Sequence, residues 1–380
     1  MEEVRLEEVR VVSSRIFIWP GVHAEVGENI RVLAPGTKQA FIFTDRKCIP
    51  IAKRVAMSLL QANYEVAGYA MYPGETRKNL ATALGVFSKM AHCRIQPGST
   101  FVTVGGGVVS DLGGFIASTY REGLRLFHVP TTLVAQVDVA VGGKTGLHVK
   151  DGRNFISSSY PPAGVFVDPT LLQTLPRPDY LAGLAEIVKY GMIQEADLLA
   201  SLEENIEGVV ARKPLLLEEL IHRCVSIKSA VEKASQASGV GAILQYGRTI
   251  GRGLEVAGLY RKIRPGDALA VGMEAEAAIA ERMGVAAPGV RKTQNRILRL
   301  LDLPTRVRGL SCGKLLEAMG LMPKTAEAHV RLALPETVGN AKHGVDVPLD
   351  VVEDALREII LPGGRLRATR PMSAPDANPT

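Results

Sequence analysis

Cysteine is scarce in this chain of 380 residues, and Cys48, Cys93, Cys224 and Cys312 are scattered without a C-x-x-C pair. That spacing excludes a disulfide framework and reads as four reduced thiols of a cytosolic protein. Long apolar runs are also missing: none reaches the roughly 18 residues a membrane-spanning helix needs. The acidic start, MEEVRLEEVR, lacks the charged-then-apolar order of a signal peptide, so a cytoplasmic protein with no membrane partner is expected. Basic blocks interleaved with aromatics are absent, which excludes a nucleic-acid role. The mild surplus of 45 Lys and Arg over 39 Asp and Glu, net +6, suits an anionic small substrate instead. No internal repeat is visible. The length and a hydrophobic fraction of 46% fit two ordinary globular domains.

What is there is organised around TFVTVGGGVVSDLGGFIASTY, residues 100 to 120. A β-branched run meets three glycines, Gly105 to Gly107, and then the opening of a helix. Glycines at a strand-to-helix turn let backbone N–H groups approach a phosphate, and the helix end favours an anion. The spaced G-x-G-x-x-G fingerprint is absent, and a plain turn packed closely on its neighbours fits the same residues.

Apolar runs and helical spacing alternate through the first half. QAFIFTD ends in Asp45 and precedes a helical segment; a strand, a polar turn holding Glu75 and Lys78, and a helix follow. LRLFHVPTTL and GVFVDPTLL add strands. The pattern predicts a mostly parallel sheet with helices on both faces, its ligands beyond the carboxyl ends of the strands. From about residue 178 strand signals fade and long helical stretches follow. The expected division is 1–177, a Rossmann-like α/β domain; 178–362, an all-helical domain; and 363–380, a mobile tail rich in Pro, Ser and Arg.

The run from HVPTTLVAQVDVAVGGKTG through AGLAEIVKYGMI, with the GGGVVSD turn and the PGETRK loop, resembles the dehydroquinate synthase family of sugar phosphate cyclases over residues 70 to 275. The resemblance implies a nucleotide-binding domain, a helical domain and an active site between them, and a homodimer. It also implies transient oxidation of a phosphorylated sugar by bound NAD, loss of phosphate and ring closure. Carried over position by position, it assigns cofactor contacts to Asp45, Glu75, Lys78, Gly106, Gly107, Asp111, Thr131, Thr132, Asp138 and Lys144. Lys144 also counts among the catalytic residues, with Glu186, Lys189 and Lys228, whereas Arg153, Asn154 and Gln245 contact substrate. For Glu186 and Lys189, three apart on one helix face, an ordinary ion pair is the alternative reading.

The chain departs from the family where a metal would be held. Family members carry two histidines four apart and a third at the next helix; here Arg248, Arg252 and Pro265 stand in their places. Neither side chain can ligate zinc, so Glu186 is the only family ligand left and zinc is expected to be absent. Gly241 stands where dehydroquinate synthase binds the substrate carboxylate through an arginine, which argues against the usual aromatic-pathway substrate. Two readings follow: a zinc-free cyclase or related lyase in which Arg248 and Arg252 supply the missing charge, or a catalytically silent NAD-binding homologue. A glycerol-phosphate-dehydrogenase-like oxidoreductase fits the motifs from 130 to 190 less well.

Overall fold

The computed structural model describes residues 14–149, 152–238, 240–259, 262–321 and 329–369. The chain divides into two compact units, residues 1–131 with 139–170, and residues 132–138 with 171–380.

In the first unit the elements are β1 (Arg15–Ile18), α1 (Val26–Leu33), β2 (Gln39–Asp45), α2 (Ile49–Gln61), β3 (Glu65–Met71), α3 (Leu80–His92), β4 (Thr100–Gly105), α4 (Gly107–Thr119), β5 (Arg125–Pro130), β6 (Lys144–Val149), β7 (Gly152–Ser159) and β8 (Gly164–Val167). Six strands form a parallel sheet in the order β1-β8-β5-β4-β2-β3. The strands are β-branched and aromatic, and β4 is buried along its whole length, as a sheet covered on both faces requires. Phe41, Phe43, Phe101, Val86, Leu112 and Ile116 fill one side of it. β6 and β7 form a separate antiparallel hairpin for which the strand-and-turn pattern gave no signal.

The second unit contains α5 (Arg177–Gln194), α6 (Ala196–Glu204), α7 (Ile206–Val210), α8 (Pro214–Ser238), α9 (Arg248–Ala257), α10 (Pro265–Arg282), α11 (Val290–Leu300), β9 (Arg306–Arg308), α12 (Cys312–Ala318), β10 (His329–Thr337), β11 (Asn340–Pro348), α13 (Leu349–Ile359), β12 (Ile360–Leu361) and β13 (Arg367–Thr369). α5 and α10 are buried nearly all round, which is why neither shows a clean amphipathic stripe. Helices dominate, as the sequence pattern implied, but β10 pairs with β11, and β9 joins β12 and β13 in a small sheet.

Two expectations on boundaries need correction. The segment 132–138 belongs with the second unit although it precedes the last strand of the first. The tail expected from 363 contains β13 at Arg367–Thr369, because a strand of three residues is specified by its backbone partners on β9 and not by side-chain periodicity. The rest of that tail, 370–380, lies outside the described residues.

Candidate active site

The glycine turn of the first unit closes β4 and opens α4. Gly106 precedes the helix without any side-chain cap, so the N–H groups at the very start of α4, before Val109, have no capping acceptor. A Cβ on Gly105 would lie 2.6 Å from Val109, one on Gly113 2.3 Å from Thr103, and one on Gly114 2.3 Å from Thr145. The helix is thus seated directly on the sheet. Ser110, in its first turn, keeps a buried hydroxyl with no partner among the described residues. Uncapped donors, close packing and an orphaned hydroxyl fit a dinucleotide's pyrophosphate.

Other predicted residues of this unit are tied to one another. Lys78, only 2% exposed, pairs with Asp111 and donates to Asn154 Oδ1 at 2.6 Å. Glu75 accepts from His148 Nε2 and Arg153, each at 2.9 Å. The Asn154 N–H donates to His148 Nδ1, also at 2.9 Å, which places the imidazole proton on Nε2. Burial, followed by the charges of Lys78 and Arg153, lowers the His148 pKa, although Glu75 opposes the shift. Asp45 Oδ1 accepts the Lys47 and Cys48 N–H groups at 2.8 and 3.2 Å, capping the turn that starts α2. Thr131 meets the Cys48 thiol at 3.4 Å, and its N–H bonds Gly105. Lys144 is exposed, without a partner among the described residues, in a cleft of about 460 Å³ shared with Asp111, Asn154 and Ser157 to Ser159.

The second unit holds a buried ionic cluster. Glu186, Lys189 and Tyr190 project from α5, Lys228 from α8, Arg248 from the start of α9, and Asp138 from the single π-helical turn Ala135–Val139. Arg248 Nη2 lies 2.7 Å from both Asp138 Oδ2 and Glu186 Oε1. Glu186 Oε2 accepts from Lys189 at 2.7 Å; Asp138 Oδ1 accepts from Lys228 at 2.8 Å and from the Tyr190 hydroxyl at 2.9 Å. Lys228 also lies 3.8 Å from Glu232, so three cations face three carboxylates. Burial works against the charge of Asp138, but Lys228, Lys189 and Arg248 outweigh it and hold its pKa well below the carboxylate range. For Lys189 burial wins, lowering the ammonium pKa. Tyr190 is kept protonated by burial and by the Asp138 and Glu186 charges.

The other predicted residues of this unit lie apart in environment. Arg252, one turn beyond Arg248, is exposed, so the two guanidiniums do not share one surrounding. Thr132 accepts the Ala135 N–H at 3.3 Å and caps the turn bearing Asp138. Gln245 sits half-buried at the end of the short helical turn Val240–Gln245. Pro265 is exposed at the first position of α10.

These donors do not fit a zinc ion. Both oxygens of Glu186 already accept from fixed cations, and among the described residues no group of three His, Cys, Asp or Glu is placed to hold a metal. A dication would also stand against a permanently charged guanidinium.

Sequence reading missed Tyr190 and the His148–Glu75 pair. The adjacency of Tyr190 to Lys189 was a usable signal for the first. For the second there was none, since the partners are 73 residues apart.

Comparison with known proteins identifies the family. The family models for the 3-dehydroquinate synthase N-terminal and C-terminal domains match residues 68–182 and 183–325. The chain is 34% identical over 349 residues to 3-dehydroquinate synthase of Nostoc punctiforme, covering 91% of this chain and 96% of that one. It is 35% identical over 346 residues to the enzyme of Symbiobacterium thermophilum, covering 90% and 95%. Among solved structures, 2-epi-5-epi-valiolone synthase from Streptomyces hygroscopicus, with NAD+ and Zn2+ bound, superposes with a TM-score of 0.82 at 22% identity, covering 94% and 99%. A 2-deoxy-scyllo-inosose synthase complexed with carbaglucose-6-phosphate, NAD+ and Co2+ gives 0.80 at 25%, covering 90% and 96%. By family match and by identity over nine-tenths of its length, the chain belongs to the 3-dehydroquinate synthase family of sugar phosphate cyclases.

Proposed function

We propose that this chain is an NAD-dependent, cyclase-like carbon–oxygen lyase acting on a phosphorylated sugar, zinc-independent, with the Arg248 guanidinium supplying the positive charge at the reacting oxygen. The observation that carries it is Arg248 Nη2 held 2.7 Å from both Asp138 and Glu186, at the position where family members have a histidine. NAD, when bound, supplies a transient hydride acceptor and donor. The N–H groups around Gly106 and Gly107 would hold its pyrophosphate, with Asp45, Glu75, Lys78, Asp111, Thr131, Thr132 and Asp138 as its polar contacts.

The substrate phosphate is assigned to Lys144, with Asn154 lining the same cleft and Arg153, paired with Glu75, as the next residue in sequence. Arg248 stabilises an oxyanion but cannot acidify a bound hydroxyl as far as a metal does. Lys189, whose ammonium pKa is lowered by burial, is the group suited to release a proton from Nζ and take it back. Asp138, fixed by Tyr190 and Lys228, keeps the cluster's geometry. Gly241 in place of a carboxylate-binding arginine supports a substrate other than that of 3-dehydroquinate synthase.

The test is incubation with NAD and seven- or six-carbon sugar phosphates in the presence of a chelator, following phosphate release. Release that survives chelation and falls at least about a hundredfold in Arg248→Ala supports the reading. Release that appears only with added zinc overturns it. The self-paired state of all three cations favours a second reading, a silent NAD-binding homologue. Stoichiometric NAD binding without phosphate release from any substrate would select it. A homodimer, expected from the resemblance, is checked by light scattering.

A further inference from the structure

We propose that Glu276 is a positioning residue for Arg248: its carboxyl, sealed between α9 and α10, caps the helix that carries Arg248 and so fixes where the guanidinium meets Asp138 and Glu186. The inference rests on the reading that Arg248 serves the chemistry of this site.

α9 starts abruptly. Gly247, just before Arg248, has φ +72°, and no side chain of its own turn caps the helix. The first-turn N–H groups would be orphans in the interior, each costly to leave unpaired. The neighbouring helix packs closely against this turn. A Cβ on Gly247 would meet Met273 at 2.4 Å, and one on Gly272 would meet the Gly247 carbonyl oxygen at 2.0 Å. α9 and α10 thus touch backbone to backbone at this point.

Glu276, on α10 and fully buried, fills the need. Its Oε2 accepts the Gly247 N–H at 2.6 Å and its Oε1 the Ile250 N–H at 3.4 Å. Among the described residues no Lys, Arg or His pairs with it. A carboxyl buried with no cationic partner is expensive, and an apolar side chain would fill the same space at lower cost. Among the described residues its only bonded partners are donors of the turn bearing Arg248. Arg248 is the first residue of α9, so its Cα follows that turn directly. If the turn relaxes, a guanidinium that must reach two carboxylates at once loses one of them.

The test reads Arg248 itself, in the full chain, by its guanidinium Nε–Hε signal in proton–nitrogen correlation spectra, identified by its loss in Arg248→Ala. In Glu276→Ala the signal should move or broaden, and formate, small enough for the vacated space, should restore it. Glu276→Gln, whose amide oxygen still accepts an N–H, should leave it nearly in place. Glu276→Asp, one methylene shorter, serves if the alanine variant does not fold, and should move it. In turnover, Glu276→Ala should cost roughly tenfold in kcat with the KM for NAD unchanged, and less than about twofold when Arg248 is already alanine. An unmoved Arg248 signal in Glu276→Ala and Glu276→Asp, or an equal kcat loss with and without Arg248, overturns the proposal. Absence of turnover in the unaltered chain would instead refute the proposed function and leave the spectroscopic result standing.

Discussion

Arg248 holds two carboxylates that would otherwise face each other across a poorly solvated space. Removing it leaves Asp138 and Glu186 short of one donor each, and breaking a buried pair by removing one partner typically costs about 3–5 kcal/mol. Because 28% of the Arg248 side chain is exposed, water can make good part of this, and Arg248→Ala should lower stability by about 1–3 kcal/mol, measured by urea denaturation. Arg248→Lys keeps the charge but not the fork, and should recover stability better than activity. The carboxyls also respond to pH in opposite senses. Asp138 has a depressed pKa, so its stabilisation is present above the ordinary value of 3.8 and is lost only as the pH falls below it. Burial pushes Glu276 up from 4.5 to about 8, so its protonated form is favoured in the fold. Its contribution is full below pH 4.5 and is lost as the pH rises towards about 8, with a slope of at most about 1.4 kcal/mol per pH unit. Stability curves should therefore be flatter in Glu276→Gln between these limits, and a parallel slope in the two proteins would contradict the assignment.

Among the elements, α4 and its turn depend on glycine for contact and not for backbone conformation. Gly113→Ala would drive a methyl group to within 2.3 Å of Thr103 on β4, and should cost about 1–3 kcal/mol in thermal or urea unfolding. If the turn binds the dinucleotide as proposed, the same change should weaken NAD binding in calorimetry by lifting the helix N-terminus. This much was legible in the sequence, because a strand, a glycine turn and a helix are consecutive and their packing follows from their order. α9 and α10 were legible as helices only. The cap on α9 comes from Glu276, 29 residues beyond Gly247, and neither periodicity nor capping signals connect residues so far apart. The hairpin β10–β11 was missed although His329 to Leu332 alternate polar and apolar, because the flanking stretches read as helix.

For the molecule as a whole, histidines introduced at 248 and 265, where the family resemblance expects them, should create a metal site. Gly266 packs against Ala182, one turn before Glu186 on α5, so position 265 starts a helix beside the one bearing Glu186. Arg248→His with Pro265→His should therefore take up zinc by metal analysis where the unaltered chain takes up none. Zinc in the unaltered chain at one per molecule would contradict the donor argument.

The sequence by itself determined the alternation that yields the parallel sheet, the glycine turn, the helix-rich second half and the departures at Arg248, Arg252 and Pro265. These are local patterns or single residue types, and they need no knowledge of neighbours in space. Tertiary structure alone decided that Arg248 closes on Asp138, 110 residues away, while Arg252 is exposed, that Lys78 binds Asp111 and Asn154, and that Glu276 caps α9. The reason is that the charge state and partners of a buried polar group depend on desolvation and on the groups that chain folding brings within a few ångströms, and neither is encoded by position along the chain.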